Sequence, residues 1–519
     1  MRWFRAFSLL ALAAWPLHGG EVTVAARDAH LSGGLVALVN CGEDTLAEAA
    51  KLPCTVHCLD ADAARVQRVR IRLQQQGIYG RVCVTHFDGR ALPYIDGLIN
   101  LVVCEKVDRV PAEEIQRVLA PGGMALVKTN GTWARKAKPW PDDTDEWNQY
   151  LHDADNNAVS ADKVGPPARM KWVGGTRWGR SHMSWVTVTS MVSAKGRVYT
   201  IEDLATIEYH LLPARFHVIA RDAFNGCELW RRPLTGWHRT KGYVKFVPVQ
   251  IQRRMAAIGE KLYCTPGYDE PITLMDGATG AVLTTFTGTE RTREFVFDRG
   301  VLYAIIGDAY APPRSKDEEV VLQALDATSG RVLWQKTISQ DGGYVGGTLA
   351  VKRNNLAYCT KGGVECLEAD SGKHRWRAAH TSLVPGKEAS LPRSVAKAGL
   401  DNIPPTLVLD HERLYCSTIS AVRAYAVESG KRLWTARNAP NYMKGSDLFV
   451  AGGLVWTGLL VGHDPETGEV KRTIKQQMLG PMGHDRCYRN RITETYYINS
   501  KTGGSDFLKL ADGSEFPSP

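Results

Sequence analysis

The chain lacks any run of eighteen consecutive apolar residues, so nothing in it is long enough to read as a transmembrane helix. It also lacks a basic stripe interleaved with aromatics. The formal net charge of +9 over 519 residues is spread out, and its longest basic clusters, "GTWARKAK" and "IQRR", are short. That pattern excludes nucleic acid as an expected partner. No two of the eleven cysteines are adjacent.

What is present begins with "MRWFRAFSLLALAAWPLHGG", in which Arg2 and Arg5 precede a mostly apolar run from Ala6 to Leu17, followed by Gly19 and Gly20. This is the layout of a secretory signal peptide over residues 1–20, and the alternative is a buried N-terminal helix. No cysteine closely follows the run, which argues against a lipid anchor. The mature chain is therefore expected to be exported, periplasmic or extracellular, where disulfides are favoured. Cys264, Cys359 and Cys416 each follow a tyrosine at equivalent positions of a repeat and are expected to lie too far apart to pair. Cys359 and Cys366 could meet across the "TKGGVE" hairpin, depending on its register.

Over residues 30–130, short apolar runs ("LVALVNCGED", "TVHCLD", "RVCVTHFDG", "INLVVCEKV", "MALVK") alternate with helical patterns ("TLAEAAKL", "ADAARVQRVRIRLQQQG", "AEEIQRVLAPGG"). That alternation predicts an α/β, doubly wound parallel sheet of Rossmann-like type. Residues 131–169, rich in Pro, Asp and Asn, predict a linker crossing the surface. Within it, Asp153, Asp155 and Asn157 have the alternate spacing that opens a calcium loop. Ala158 and Val164 stand where such a loop needs Gly and Glu, so a solvated Asx-turn is expected. The tryptophans of this region (Trp133, Trp140, Trp147) are expected to seal the two domains together.

From residue 170 to 519 one phrase recurs, as in "ARDAFNGCELW", "ALDATSGRVLW", "CLEADSGKHRW" and "AYAVESGKRLW". Its glycines are Gly226, Gly280, Gly330, Gly372, Gly430, Gly468 and Gly513. Strand-like units at spacings of 38 to 58 residues predict an all-β propeller. An Asp, Ser or Thr caps the turn, the Gly takes positive φ, and the Trp wedges between neighbouring blades. "GPPARMKW" (Gly165 to Trp172) is expected to add the last strand of a further blade, which favours eight blades. The chain stops at "GSEFPSP", before a Trp strand, and this leaves a seven-bladed ring, an incomplete ring or a truncated product as alternatives.

The phrase resembles the repeat of the pyrroloquinoline quinone (PQQ) propeller family, the quinoprotein alcohol dehydrogenase-like superfamily. "EEIQRVLAPGGMALVK" (Glu113 to Lys128) resembles the late helix, turn and strand of class I S-adenosylmethionine (SAM)-dependent methyltransferases. The pair together resembles planctomycete-type fusions of the two. For the first domain the resemblance implies a SAM site at Gly42, Asp60 and Asp88, with Asp60 on the ribose and Asp88 on the adenine side. Asn40 and Asp44 replace the outer glycines of that family's loop, and Asn100 replaces the acid opening its fourth strand. Both a working methyltransferase and a degenerate domain kept for its fold are open. For the propeller the resemblance implies a quinone held with calcium, although the vicinal cysteine pair of the alcohol dehydrogenases is absent. Polar phrases where blades begin place His182, His238, His484, Asp485, Arg486 and Arg489 at the channel mouth, where propellers bind ligands. No metal ligands are assigned.

Three readings follow. The first is an exported propeller acting in binding or scaffolding, with a protein or small-molecule ligand at its face. The second is an oxidoreductase using PQQ or a metal in the channel. The third is a SAM-dependent methyltransferase with the propeller as substrate receptor.

Overall fold

The computed structural model describes residues 20–518 except 88, 107–109, 176–187, 206–213, 237–251, 308–319, 339–342, 361, 380–404, 419, 439–446, 459, 475–489 and 502–503. Two compact units divide the chain. One holds Met1–Pro141 with Ala220–Trp230 and Ala278–Ala281, and the other holds the remainder.

In the first unit the expected α/β sheet is present. Helix α1 (Glu21–Asp28) is followed by β1 (Leu35–Val39), α2 (Glu43–Ala49), β2 (Thr55–Asp60), α3 (Ala63–Gln75), β3 (Val82–His86), β4 (Ile99–Cys104), α4 (Ala112–Val118), β5 (Leu119–Thr129) and β6 (Thr132–Ala137). The sheet order is β3-β2-β1-β4-β5-β6, with β6 antiparallel to β5 and the other pairs parallel. All six residues of β4 are buried, as a parallel strand covered on both faces requires. The Pro-Gly-Gly segment is drawn into β5, with a register shift opposite it in β4. At Gly123 a Cβ would sit 2.8 Å from Ala120 O and 3.0 Å from Asn100 O, so only glycine lets the strands close here.

The second unit is built on six four-stranded antiparallel sheets and a seventh of five strands, four of them antiparallel and the fifth a short parallel addition. Their first strands, which are the innermost of each blade, are Val188–Ala194, Met255–Ile258, Thr292–Asp298, Ala350–Lys352, Thr406–Leu409, Leu448–Ala451 and Arg491–Thr493, here blades one to seven. The repeat phrase forms the turn into each outermost strand. In blade three, Asp326 Oδ1 accepts from Ser329 N (2.8 Å) and Ser329 Oγ (2.7 Å), and Gly330 follows at φ 74°. Positive φ is only half of what the glycine provides. A Cβ on Gly372 would sit 2.6 Å from the Trp334 ring, on Gly430 2.4 Å from Trp376, and on Gly468 2.6 Å from Trp434. The tryptophan of one repeat thus lies flat on the glycine of the next. Each indole N–H then donates to a backbone carbonyl of that next turn: Ala369 O (2.8 Å), Val427 O (2.7 Å) and Pro465 O (2.9 Å).

Eight blades give way to seven. Tyr496–Lys501, Gly504–Lys509 and Glu515–Ser518 complete the seventh sheet, with Phe516 where other repeats carry Trp. Residues 165–172 form no strand. The N-terminal contribution to the seventh sheet is instead Val159–Ser160, paired in parallel with its inner edge.

Two further expectations are corrected. Residues 147–160 do not cross the surface: Gln149, Leu151, Ala154, Asn156, Ala158 and Ser160 are all buried. Cys359 and Cys416, expected to be far apart, are side by side in the core shared by blades four and five. Burial and the Cys416 thiol beside it push the Cys359 thiol well above its ordinary pKa. Cys359 instead fails to face Cys366, because the hairpin register sets Cys359 opposite Val364 and Cys366 opposite Ala357.

Candidate functional site

The first candidate lies at the carboxyl ends of β1, β2 and β4, where open α/β sheets place ligands. Asn40 ends β1 at φ 49°, a left-handed conformation that asparagine tolerates. Gly42 then caps α2 without a side chain of its own. Glu105, one residue beyond β4, supplies the missing cap: its Oε2 accepts from Gly42 N and its Oε1 from Thr45 Oγ1 (2.7 Å). A carboxylate at a helix N-terminus satisfies orphan donors.

Asp60, the last residue of β2, is similarly engaged. Its Oδ2 pairs with Arg65 Nη1 and its Oδ1 accepts from Asp62 N (2.9 Å), while the other arm of Arg65 donates to Cys41 O. Asp62 fixes Arg65 in place by capping α3, accepting from Ala64 N (2.9 Å) and Arg65 N (3.1 Å). Hydrogen bonds from Arg65 N and Ala64 N hold the Asp62 carboxyl below its usual range. The cavity beneath, lined by Leu38, Cys41, Leu46, Cys58, Asp60 and Arg65, has room for about one water molecule. Burial, and secondarily Glu105, push the Cys41 thiol well up.

Of the sequence-predicted residues, Gly42 and Asp60 are brought to this site, and Asp88 lies outside the described residues. Asp44 is exposed, so the carboxylate facing the loop is Glu105. Asn100 serves elsewhere, where its Oδ1 accepts from Leu35 N (2.8 Å) and its Nδ2 donates to Asp222 Oδ2 (2.7 Å), within the same unit. An acid there would face another carboxylate. Sequence reading missed Arg65 and Glu105. The available signals were a strand-end acid after "INLVVC" and an arginine in the first turn of α3, five residues from Asp60.

In the propeller, His182, His238, His484, Asp485, Arg486 and Arg489 all lie outside the described residues. One residue after Arg489 in the sequence, Asn490 Nδ2 donates to buried Asp447 Oδ2, as does Tyr497 OH (3.1 Å), joining blades six and seven. A second buried polar centre was also missed. Arg253 Nε lies 2.8 Å from Glu294 Oε2, and Arg253 Nη1 donates to Asn156 Oδ1 (2.8 Å). Glu294 Oε1 accepts from Tyr344 OH and Gly347 N (2.6 Å). The three side chains spaced like the opening of a calcium loop are spoken for: Asp153 pairs with His152 (2.9 Å), Asp155 with Lys352 (2.9 Å), and Asn157 with the backbone of Val450. Among the described residues no three His, Cys, Asp or Glu side chains converge as metal ligands. No described helix is long and apolar enough to cross a membrane.

Seven sheets built on this phrase define a β-propeller of PQQ-like repeats, in a chain that also holds a six-stranded α/β unit. Residues 317–483 match the PQQ_2 family model, described as "Outer membrane protein assembly factor BamB". No curated protein matches the chain at a significant level. Among solved structures it is similar to the quinohemoprotein alcohol dehydrogenase of Comamonas testosteroni, at 12% identity over 73% of each chain and a TM-score of 0.45. It is similar to BamB of Moraxella catarrhalis at 13% identity, over 68% of this chain and 91% of that one, with a TM-score of 0.37. A geranyl diphosphate methyltransferase matches 19% of this chain and 42% of its own length, at 17% identity and a TM-score of 0.18. Likeness at these identities speaks of fold alone.

Proposed function

We propose that this is an exported binding or scaffolding protein whose propeller carries the binding face and whose methyltransferase-like unit no longer takes SAM. The observation that carries the second half is the self-occupied site. Arg65 and the Asp62 amide hold both oxygens of Asp60, and Glu105 holds the Gly42 amide. A cofactor carboxylate approaching that loop would meet a like charge already in place, and SAM does not fit the residues as arranged. The matched family's description, an outer membrane assembly factor, supports a binding role for the propeller, with a protein or small-molecule ligand at its face. The polar set around His182, His238 and His484 is the proposed contact region.

Calorimetry on the full chain, with SAM and separately with PQQ plus calcium, tests the reading. Neither is expected to bind. Tight SAM binding would overturn the degenerate-site argument, and tight PQQ binding would replace the scaffold by a quinone-dependent oxidoreductase.

A further inference from the structure

The fourteen residues from Trp147 to Ser160 touch all seven blades in blade order. Trp147 O accepts from Ser193 N of blade one (2.7 Å), and Asn148 O from Ala257 N of blade two (2.8 Å). The Gln149 side chain then takes both backbone groups of Phe297 in blade three (2.9 and 2.8 Å). Ala154 O accepts from Val351 N of blade four (2.7 Å), and Asp155 O from Leu409 N of blade five (3.0 Å). The Asn157 side chain clamps Val450 of blade six (3.0 and 2.9 Å), and Val159–Ser160 pairs with blade seven.

Length fits this path. Fourteen residues span at most about 50 Å, which bent into a circle gives a radius of about 8 Å, the scale of a ring of inner strands. The segment sits toward one end of that ring. Ser193, Ala257, Phe297, Leu409 and Val450 all fall in the later part of their inner strands, where the chain turns into the short hairpins to the second strands. Asn156, at φ 65°, turns inward instead, donating to Leu349 O and Leu407 O (3.0 Å each) and accepting from Arg253.

We propose that residues 147–160 are an internal axle that runs along one end of the ring of inner strands and couples the seven blades. The axle stands whether or not the binding function above is correct. It explains why so polar a segment is buried: its side chains and carbonyls pair with inner-strand backbone groups that have no further strand beside them.

Hydrogen exchange on the full chain, read by mass spectrometry, tests it. In the wild type, peptides carrying Ala257, Val351, Leu409 and Ile492 should be protected as well as mid-sheet peptides around Leu302 and Cys416. Asn156→Ala should speed exchange of the inner-strand peptides of all seven blades together, by tenfold or more. A change confined to blades two, four and five, where Asn156 bonds, or no change, would overturn the coupling. Chymotrypsin on the wild type gives an answer that needs no variant. The Tyr150–Leu151 bond should outlast the bond after Trp172, next to the exposed Val173. Equal cleavage rates would show that the axle is open.

Discussion

Arg253 and Glu294 form an ion pair at 2.8 Å with side chains 3% and 0% exposed, and the polar groups that surround them are backbone groups, a tyrosine and an asparagine. Charges so far from water are held by being paired. Removing one leaves the other uncompensated, at a cost of about 3–5 kcal/mol. Arg253→Met and Glu294→Gln should each lower the denaturant midpoint of the full chain sharply. The Arg253→Met, Glu294→Gln double variant should cost less than the sum of the two. Additive losses in denaturant titration would show that the two side chains act independently.

His152 gives a pH signature. Burial alone would lower its pKa, but hydrogen bonds and charge from Asp153 and Asp145 outweigh it and raise the imidazole to about 9. A folded pKa above the unfolded value of about 6.5 means that the stabilisation is full below that pH and is lost as pH rises through about 9. The difference in Tm between wild type and His152→Gln should therefore shrink between pH 6.5 and 9.5. A rise of that size sets an upper bound of about 3 kcal/mol on the effect at low pH. A difference that stays constant across this range would rule out a charged His152.

Glycine to alanine substitutions should separate strain from collision. Gly300, at φ 83° with open space around it, should lose about 1 kcal/mol on substitution from backbone strain alone. Gly430, at φ 67° with Trp376 2.4 Å from the new Cβ, should lose that and about 1–3 kcal/mol more for displacing the indole. Thermal unfolding of Gly300→Ala and Gly430→Ala compares them directly, and equal losses would mean that the Trp-on-Gly packing carries no energy.

Thiol labelling reads the core. Among the described cysteines, Cys83 and Cys227 are half-buried and should react first with a soluble maleimide. Cys264 and Cys366, whose thiols are pushed up to about 12 by burial, should wait for unfolding, as should Cys359 and Cys416. Rapid labelling of Cys359 in the native protein would show that blades four and five part.

Just beyond β4, Glu105→Gln should weaken the cap on α2 by about 1 kcal/mol, a modest Tm loss. Combined with Arg65→Ala it frees Asp60 and removes the negative charge beside the Gly42 amide. Calorimetry should then detect weak SAM binding that the wild type lacks. Continued failure to bind would place the defect elsewhere in the site.

The propeller and the parallel sheet were legible because each announces itself by a local rule: a phrase with a capped turn, a positive-φ glycine and a tryptophan, or buried runs alternating with helices. The axle was not, for a physical reason. Gln149 and Asn156 are buried and Asn157 half-buried to satisfy the backbone of distant strands, so they leave no apolar periodicity and look like solvated loop. Arg65 and Glu105 were missed because the site was compared with the glycines it had lost and not with the side chains that moved in. Blade number turned on Val159–Ser160, two residues whose pairing no pattern foretells.

The indole-on-glycine seams have a consequence for how such a chain changes over time. The recurring stretch in the sequence and the packed module in space are out of phase by half a unit: the aromatic of one phrase has its seat in the phrase that follows. Duplication or loss of a whole phrase keeps every seat filled. A cut placed between Trp376 and Gly430 would strip one module of its seat and leave an indole with nothing to rest on.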